Sequence, residues 1–305
     1  MEEMRKGRAV SGHNLLGRIT EQLDDLVRHK ALLGRHQRLR DLFRKPYHRL
    51  INWHRRGCRV CVGGTIEVRV PPEFSGKRVE TYETAEFGVL HRWCRDNERG
   101  LFIDVGCSIG YYSCAALFSS PSIEVVAIDS DLHSLKVAQR MCSYAGPCRL
   151  TLIQGMIADV SGSILDYRAA GEATAKALAS PGVRGEIAAT NYRNFDANRS
   201  AHQDIPTHTL DGLFPADTLR GKPLLIKVDV EGAEWYVLNG ARGILRRSSP
   251  VLIVSVHPSF LPRYGQSKQD IMSLLNGHGY GVELLGIDHE EHWLCKRIEA
   301  HTPQP

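Results

Sequence analysis

Carboxylates at the ends of predicted strands are the residues of this sequence best placed to do chemistry. Asp104 lies in an apolar run, 101–105, which ends in a glycine turn at residues 106–110. Open parallel sheets bind ligands at the carboxyl ends of their strands, and glycines there let the backbone approach a ligand closely. This turn has Gly106 and Gly110 but lacks the third glycine of a dinucleotide-binding turn. The acid ahead of it would repel a pyrophosphate and would suit a cationic ligand.

Two further acids follow the next two predicted strands. Asp129 lies 19 residues after Gly110, and an acid at about that distance typically accepts hydrogen bonds from ribose hydroxyls. Asp159 follows the third predicted strand, 149–153, where an adenine amino group could be read. S-adenosylmethionine has a nucleoside, an ammonium and a sulfonium but no phosphate. Three acids after three successive strands therefore favour this cofactor over a dinucleotide.

A fourth predicted strand, 224–228, leads into a run of charged residues. Strand alternation predicts that Lys227, Asp229 and Glu231 point the same way, and we take all three as catalytic candidates. Charges at a strand end are costly to bury without a purpose. The alternative is a salt-bridged helix start, because Glu231 and Glu234 would also suit a helix N-terminus electrostatically.

A histidine ends the fifth predicted strand, 251–256. His257 would lie beside Asp229 and could act as a general base, since an imidazole titrates near neutral pH. The alternative is a histidine that is hydrogen-bonded in the crevice and takes no part in chemistry.

These motifs, taken in order, resemble the FkbM family of S-adenosylmethionine-dependent methyltransferases over residues 82–298. The matching segments are Phe-Ile-Asp-Val-Gly-x-x-Ile-Gly-Tyr-Tyr-Ser, Ala-Ile-Asp-x-Asp, His-Thr-Leu-Asp-Gly-Leu, Ile-Lys-Val-Asp-Val-Glu-Gly-Ala-Glu-Trp and Val-His-Pro. The resemblance implies a class I methyltransferase fold. It also implies methyl transfer to a hydroxyl oxygen of a sugar, polysaccharide or natural product.

The resemblance also assigns roles to residues. Asp104, Gly106 and Gly110 would hold the methionine part of the cofactor, Asp129 the ribose, and Asp229 the reactive end. Neighbouring positions in the motifs complete the cofactor-binding candidates: Cys107, Tyr111 and Asp159. The sequence departs from the family pattern at two places. Ser255 stands where an acid is usual, and Cys107-Ser108 stands where Ala-Asn is usual.

Strands that alternate with helices predict an α/β fold with a doubly wound parallel sheet. Two late strands separated by a turn at 288–291 predict an antiparallel edge. Residues 1–60 predict a basic helical arm and residues 61–305 a methyltransferase domain. Within that domain, residues 161–223 lack a strong period and predict an irregular insertion, a candidate substrate loop.

Composition limits the class of protein. The chain has 305 residues, of which 42% are hydrophobic and 24% are charged, which excludes collagen-like and largely disordered proteins. No apolar run reaches the roughly 18 residues of a membrane span, and no secretory signal is recognised. Eight scattered cysteines form no disulfide framework, which favours a reducing cytoplasm. Cys58-x-x-Cys61 has no second ligand pair, so no metal site is predicted.

Charge separates the arm from the rest of the chain. The net charge is +5, while residues 1–60 carry 15 Lys and Arg against 6 Asp and Glu, so the remainder carries −4. The arm could contact an anionic surface weakly, or it could pack on the body or on a second copy of the chain. The expected acceptor is a small molecule or a glycan hydroxyl.

Three other functions fit parts of the sequence. A basic arm fits an RNA methyltransferase, although the acidic body disfavours a long nucleic-acid track. Ser255, where the family usually has an acid, would fit a protein that binds the cofactor without catalysing a reaction and serves as an adaptor. Finally, residues 106–110 match the Gly-x-Ser-x-Gly elbow of α/β-hydrolases, with Ser108 as nucleophile and His289 or His292 as base. Asp104 argues against the hydrolase, because its charge would lie near the developing oxyanion.

Overall fold

The computed structural model describes residues 57–71, 74, 79–146, 149–163 and 205–298. Most of the predicted basic arm (1–56) and the middle of the predicted insertion (164–204) lie outside these residues. The chain divides into two compact units, residues 1–60 with 69–77, and residues 61–68 with 78–305. Every site described below lies in the second unit.

The described residues form twelve strands. In chain order they are β1 (Cys58–Val62), β2 (Ile66–Val70), β3 (Leu101–Val105), β4 (Glu124–Asp129), β5 (Leu150–Gln154), β6 (Met156–Ile157), β7 (Gly162–Ser163), β8 (Pro206–His208), β9 (Leu224–Val228), β10 (Val251–Val256), β11 (Tyr280–Ile287) and β12 (Glu291–Arg297). A seven-stranded sheet has the order β11-β12-β10-β9-β3-β4-β5. β1 pairs with β2, and β6, β8 and β7 form a small third sheet.

Seven α-helices are present in the same part of the chain. They are α1 (Thr84–Asp96), α2 (Tyr111–Ser119), α3 (Leu132–Cys142), α4 (Leu210–Leu213), α5 (Glu234–Asn239), α6 (Arg242–Arg247) and α7 (Lys268–Gly277). Ser267 and Asp270 form the predicted capping box of α7. None of the described helices has the length and apolar character that crossing a bilayer requires.

The central strands β3 and β9 are buried on both faces, as expected of a parallel sheet covered by helices. β3 pairs in parallel with β4 on one side and with β9 on the other. The carboxyl ends of these strands therefore meet at one edge, and the crevice between β3 and β9 is the point where strand order reverses. Open α/β sheets bind their ligands at such a point.

The C-terminal edge confirms the predicted antiparallel pairing. β12 runs antiparallel to both β10 and β11 and lies between them. The predicted doubly wound α/β fold with an antiparallel edge is therefore correct.

Three predicted details differ from the structure. The helix predicted over 233–247 is two helices, α5 and α6, separated at Gly240. At Gly240 the backbone lies so close to Ala158 that a Cβ would be 2.0 Å from the Ala158 carbonyl oxygen, and the chain turns there. The insertion is not irregular throughout, since β7, β8 and α4 lie within it. Helix α1 was not predicted. The seven described cysteines are free thiols, as predicted, and the pair at 58 and 61 lies on β1.

Candidate active site

The glycine turn is held by the ends of the strands on either side of it. The backbone N–H groups of Gly106 and Cys107 donate to the Ile128 carbonyl at 2.9 and 3.1 Å. Gly106 has a φ of +78°, and a Cβ there would lie 1.8 Å from the carbonyl oxygen of Asp229. Only glycine fits here, because the turn after β3 presses against the backbone that follows β9.

Two other residues of the turn pack against α3. A Cβ at Gly110 would lie 2.7 Å from the Cβ of Ala138, and φ at Gly110 is +83°. Cys107 is buried among Ala127, Leu135 and Ala138. Burial raises the pKa of the Cys107 thiol well above its usual range, so the thiol stays neutral. Protein packing thus already accounts for Gly110 and Cys107, and their predicted contact with a cofactor stays a prediction.

Asp104 faces inward from β3. Its Oδ2 accepts hydrogen bonds from the backbone N–H of Ser113 at 3.1 Å and from its hydroxyl at 2.7 Å, and the residue is 1% exposed. Burial raises its pKa to about 6, although Lys227 and Ser113 oppose that rise. Because the carboxyl is so buried, the structure does not support its predicted direct contact with the ammonium of a cofactor. Asp104 instead ties the first turn of α2 to β3.

Asp129 ends β4 and is partly exposed. Its Oδ2 accepts from Ser108 N–H and its Oδ1 from Asp131 N–H, both at 2.8 Å. These bonds fix the carboxylate beside the glycine turn, at the edge where the sequence analysis placed a ribose. Each oxygen keeps a lone pair that a hydroxyl can use. Burial raises the pKa of Asp129, while the two backbone donors lower it.

Two further cofactor-binding candidates are Tyr111 and Asp159. Tyr111 is the first residue of α2 and is partly exposed, and burial raises its pKa to about 12. Asp159 does not directly follow β5, which ends at Gln154, because the short strand β6 intervenes. Its Oδ2 accepts a hydrogen bond from the Asn239 side chain at 3.1 Å.

The charged run after β9 is built around a buried ion pair. Lys227 Nζ lies 2.6 Å from Asp229 Oδ2 and 4.4 Å above the ring of Tyr112, whose hydroxyl donates to Glu83. Burial disfavours the charge on Lys227, but Asp229, Glu83 and Asp104 outweigh it and raise its pKa. A buried lysine that stays protonated cannot accept a proton, so Lys227 holds Asp229 in place instead.

Asp229 itself stays ionised. Burial favours its neutral form, but Lys227 and the nearby histidines lower its pKa overall. The strand ends at Val228, so the predicted alternation does not extend to Glu231, which has a left-handed φ of +54°. The turn nevertheless brings Glu231 Oε2 within 4.0 Å of His257 Nε2, close to Asp229 Oδ1 at 3.9 Å from the same atom.

His257 is enclosed by carboxylates. Its Nδ1 lies 2.8 Å from Glu234 Oε1, its Nε2 lies 2.5 Å from Glu290 Oε2, and the residue is 2% exposed. Burial lowers the pKa of the ring, but Glu234 and Glu290 outweigh it and raise the pKa to about 10. An imidazole that is already protonated at neutral pH is not a general base. The structure therefore contradicts the predicted role of His257 as the free base.

Glu231 is better placed to exchange a proton. Its side chain is half exposed, and burial is the main cause that raises its pKa. Of the acidic candidates after β9, it combines access to a substrate with a pKa moved toward neutrality.

Several members of this site were not predicted from the sequence. Glu290 lies in the turn between β11 and β12, whose polar sequence gives no sign of a contact with His257. Glu234, taken as a helix-end charge, is fully buried against His257. Glu83 and Glu86 flank the N-terminus of α1, which was not predicted. His292 lies 3.2 Å from the hydroxyl of Ser255, the position where the family usually has an acid.

The hydrolase alternative does not fit this arrangement. Ser108 has a left-handed φ of +48°, but the turn serves Asp129 through the Ser108 backbone N–H. His292 contacts Ser255 and lies 4.0 Å from Glu86, and His289 lies 3.0 Å from Asp288. These contacts place both proposed bases beside β12.

Comparison with known proteins assigns the family. The family model described as the methyltransferase FkbM domain matches residues 104–282. An FkbM methyltransferase from Methylobacillus flagellatus KT is similar at 18% identity and a TM-score of 0.40, over 68% of this chain and 50% of that chain. This chain thus spans about half the length of that protein. No match was found among the curated proteins.

Two other solved structures are similar at lower identity. A precorrin-6y C5,15-methyltransferase from Geobacter metallireducens GS-15 shares 11% identity over 75% of this chain and 95% of that chain, with a TM-score of 0.40. A putative caffeoyl-CoA O-methyltransferase from Staphylococcus aureus shares 13% identity over 69% of this chain and 82% of that chain, with a TM-score of 0.38. The domain match covers more than half of the chain, from the Asp104 of the glycine-turn motif to β11. The chain therefore belongs to the FkbM family of methyltransferases, as its motifs predicted.

Proposed function

We propose that this protein transfers a methyl group from S-adenosylmethionine to a hydroxyl oxygen of a sugar, polysaccharide or natural product. The observation that carries the proposal is the FkbM domain match over residues 104–282. That match begins at the strand whose carboxyl end forms the crevice with β9. The acids at this edge support a cationic cofactor.

The side chains at the edge fit S-adenosylmethionine. Asp129 presents a partly exposed carboxylate beside the glycine turn, which suits a ribose diol. Asp229 follows β9 at the same edge, with its Oδ2 paired to Lys227, and the resemblance places the reactive end of the cofactor near it. The ammonium of Lys227 is neutralised by Asp229 and is 2% exposed, so it is not positioned for a phosphate. When bound, the cofactor supplies an electrophilic methyl group.

The acceptor hydroxyl needs a group that takes its proton, because an alkyl hydroxyl is a poor nucleophile at neutral pH. We assign this role to Glu231. Lys227 keeps Asp229 a weak base, and His257 is already protonated, whereas Glu231 is half exposed with a raised pKa. Orientation of the acceptor contributes roughly 7–11 kcal/mol to such displacements, and a well-placed base adds typically 10²–10⁴-fold.

The proposal is tested with methyl-labelled S-adenosylmethionine and three groups of acceptors: glycans, natural-product alcohols and RNA. We expect label on a hydroxyl oxygen of the first or second group, located by mass spectrometry. Label on RNA would favour the RNA methyltransferase. Cofactor binding by calorimetry without transfer to any acceptor would favour the adaptor, and no cofactor binding would contradict the proposal.

A further inference from the structure

Negative charge exceeds positive charge next to the candidate active site. The carboxylate cluster consists of Asp229, Glu231, Glu234, His257 and Glu290, with four carboxylates around one imidazole. Of these residues, Glu234, His257 and Glu290 are at most 3% exposed. Lys227 pairs with Asp229 alone among the four acids. Two buried carboxylates, Glu234 and Glu290, beside two more exposed ones are costly unless positive charge offsets them.

Several buried atoms around the cluster have no hydrogen-bond partner. They are Oε2 of Glu234, and beside it Oε1 of Glu86 and Nε2 of His292. Buried polar atoms in native proteins are nearly always satisfied, and an unbound ion is one ordinary reason for an exception. Glu290 Oε2 lies 2.5 Å from His257 Nε2, so this carboxylate already faces the ring nitrogen that an ion would contact.

The orientation of His257 gives the second observation. Glu234 Oε1 lies 2.8 Å from Nδ1 and also accepts the backbone N–H of Gly232 at 2.8 Å, which fixes the ring. The opposite nitrogen, Nε2, therefore faces Asp229 Oδ1 and Glu290 Oε2. A carboxylate behind a histidine whose other nitrogen faces oxygen ligands is the arrangement that supports metal-bound histidines in proteins.

We propose that Asp229, His257 and Glu290 bind a divalent first-row transition-metal ion such as Mn²⁺ or Zn²⁺. The ion takes the place of the proton on His257 Nε2, which is released to solvent, while Nδ1 keeps its proton toward Glu234. One ligand atom from each residue lies within 4.8 Å of the others, a span that one ion can bridge after small side-chain movements. One imidazole nitrogen with two carboxylates suits these ions better than Mg²⁺ or Ca²⁺, which prefer oxygen ligands alone. No metal site was predicted from the sequence, because no local pattern places Glu290 beside His257.

The ion would have a place in the proposed reaction, although its binding does not depend on that reaction. Glu231 Oε2 lies 4.0 Å from His257 Nε2 on the exposed side of the cluster. An acceptor hydroxyl entering there would meet the ion on one side and Glu231 on the other. A metal ion lowers the pKa of a bound hydroxyl, which makes its proton easier for Glu231 to remove.

The test is binding of Mn²⁺ to the full chain after treatment with a chelator, followed by electron paramagnetic resonance. We expect one ion per chain, with hyperfine coupling to one histidine nitrogen. His257→Gln and Glu290→Gln should each weaken binding at least tenfold. Glu234→Gln should weaken it about 10–100-fold, through the loss of ring support. Glu283→Gln, on the exposed face of β11, is the matched control and should bind as the unaltered chain does.

His292→Gln separates this site from its neighbour, because Glu83, Glu290 and His292 form a second group of similar size. We expect this variant to keep its Mn²⁺ affinity. Loss of the ion in His292→Gln but not in His257→Gln would overturn the proposal. So would the absence of binding at millimolar Mn²⁺ and Zn²⁺, or a spectrum of the unaltered chain without nitrogen coupling. That spectrum decides the matter even where a variant fails to fold, and no readout depends on methyl transfer.

Discussion

Two neighbouring regions of the molecule satisfy their carboxylates in opposite ways. Beside the glycine turn, the chain's own groups supply the donors: Ser113 for Asp104, and Ser108 with Asp131 for Asp129. In the carboxylate cluster, four acids share one imidazole, the Lys227 ammonium and a single backbone N–H, and Oε2 of Glu234 has no hydrogen-bond partner. The two regions lie at the same edge of one sheet.

The region beside the glycine turn is therefore preformed, whereas the carboxylate cluster is incomplete without a bound ion. Backbone donors hold the turn and Asp129 in place before any ligand arrives, so binding there costs little reorganisation. In the cluster, His257 and Lys227 offset the charge of the four carboxylates only in part, so a bound divalent cation would stabilise the cluster further. The cofactor is thus expected at the first region and the metal ion at the second.

The largest effect is expected at the contact between the two regions. Gly106→Ala would place a Cβ 1.8 Å from the Asp229 carbonyl oxygen at a φ of +78°, and should lower the free energy of unfolding by about 3 kcal/mol or more. Gly221→Ala is the control, since φ there is +72° with nothing within 4 Å. It should cost about 1 kcal/mol in chemical denaturation. Equal losses would mean that the close approach is not rigid.

A pH effect should come from Asp104. Its pKa is raised to about 6 from 3.8, mainly by burial, so the folded state binds more protons than the unfolded state between these values. Stability from this group is therefore present at low pH and is lost as pH rises through about 6. Relative to Asp104→Asn, the unaltered chain should lose about 3 kcal/mol between pH 3.5 and pH 7. A difference that does not vary with pH would show that Asp104 is ionised throughout.

The exposed side of the cluster should control turnover. Under the proposed function, Glu231→Gln should lower kcat about 10²-fold, because the acceptor loses its proton acceptor, while cofactor affinity stays unchanged. Glu283→Gln is the control and should leave kcat as it is. A kcat within threefold of the unaltered enzyme would mean that another group removes the proton.

The smallest effect is expected at the preformed region. Asp129→Ala should weaken S-adenosylmethionine binding about tenfold in calorimetry, because charge-assisted hydrogen bonds contribute roughly 1.5–3 kcal/mol. Asp131 lies two residues along and accepts from His133 and Ser134 at the start of α3. Asp131→Ala should cost about 1 kcal/mol of stability with unchanged cofactor affinity. Equal affinities of the two variants would place the ribose elsewhere.

Local patterns were sufficient to predict the sheet. Leu101–Val105, Leu224–Val228 and Val251–Val256 are strands within the predicted bounds, because buried parallel strands are continuous apolar runs. Helix α1 was missed although Phe87, Leu90 and Trp93 recur at helical spacing and are buried. Polar and charged residues lie between these apolar ones, so the apolar spacing was too weak to predict a helix from the sequence alone.

The site was only partly predictable, for a physical reason. Asp129 and Asp229 directly follow strands, so strand order alone brings them together. Glu290 reaches His257 only because β12 inserts between β10 and β11, a pairing across 33 residues of chain that no local pattern encodes. The charge of His257, and with it the error about the base, depends on that contact.

The most direct test of this account is a crystal structure of the full chain grown with S-adenosylhomocysteine and Mn²⁺. The account predicts the ribose hydroxyls on Asp129 beside the glycine turn, and anomalous density for one ion between Asp229, His257 and Glu290. A nucleoside bound away from Asp129, or a cluster in which His257 contacts only carboxylates while Mn²⁺ is present, would contradict it.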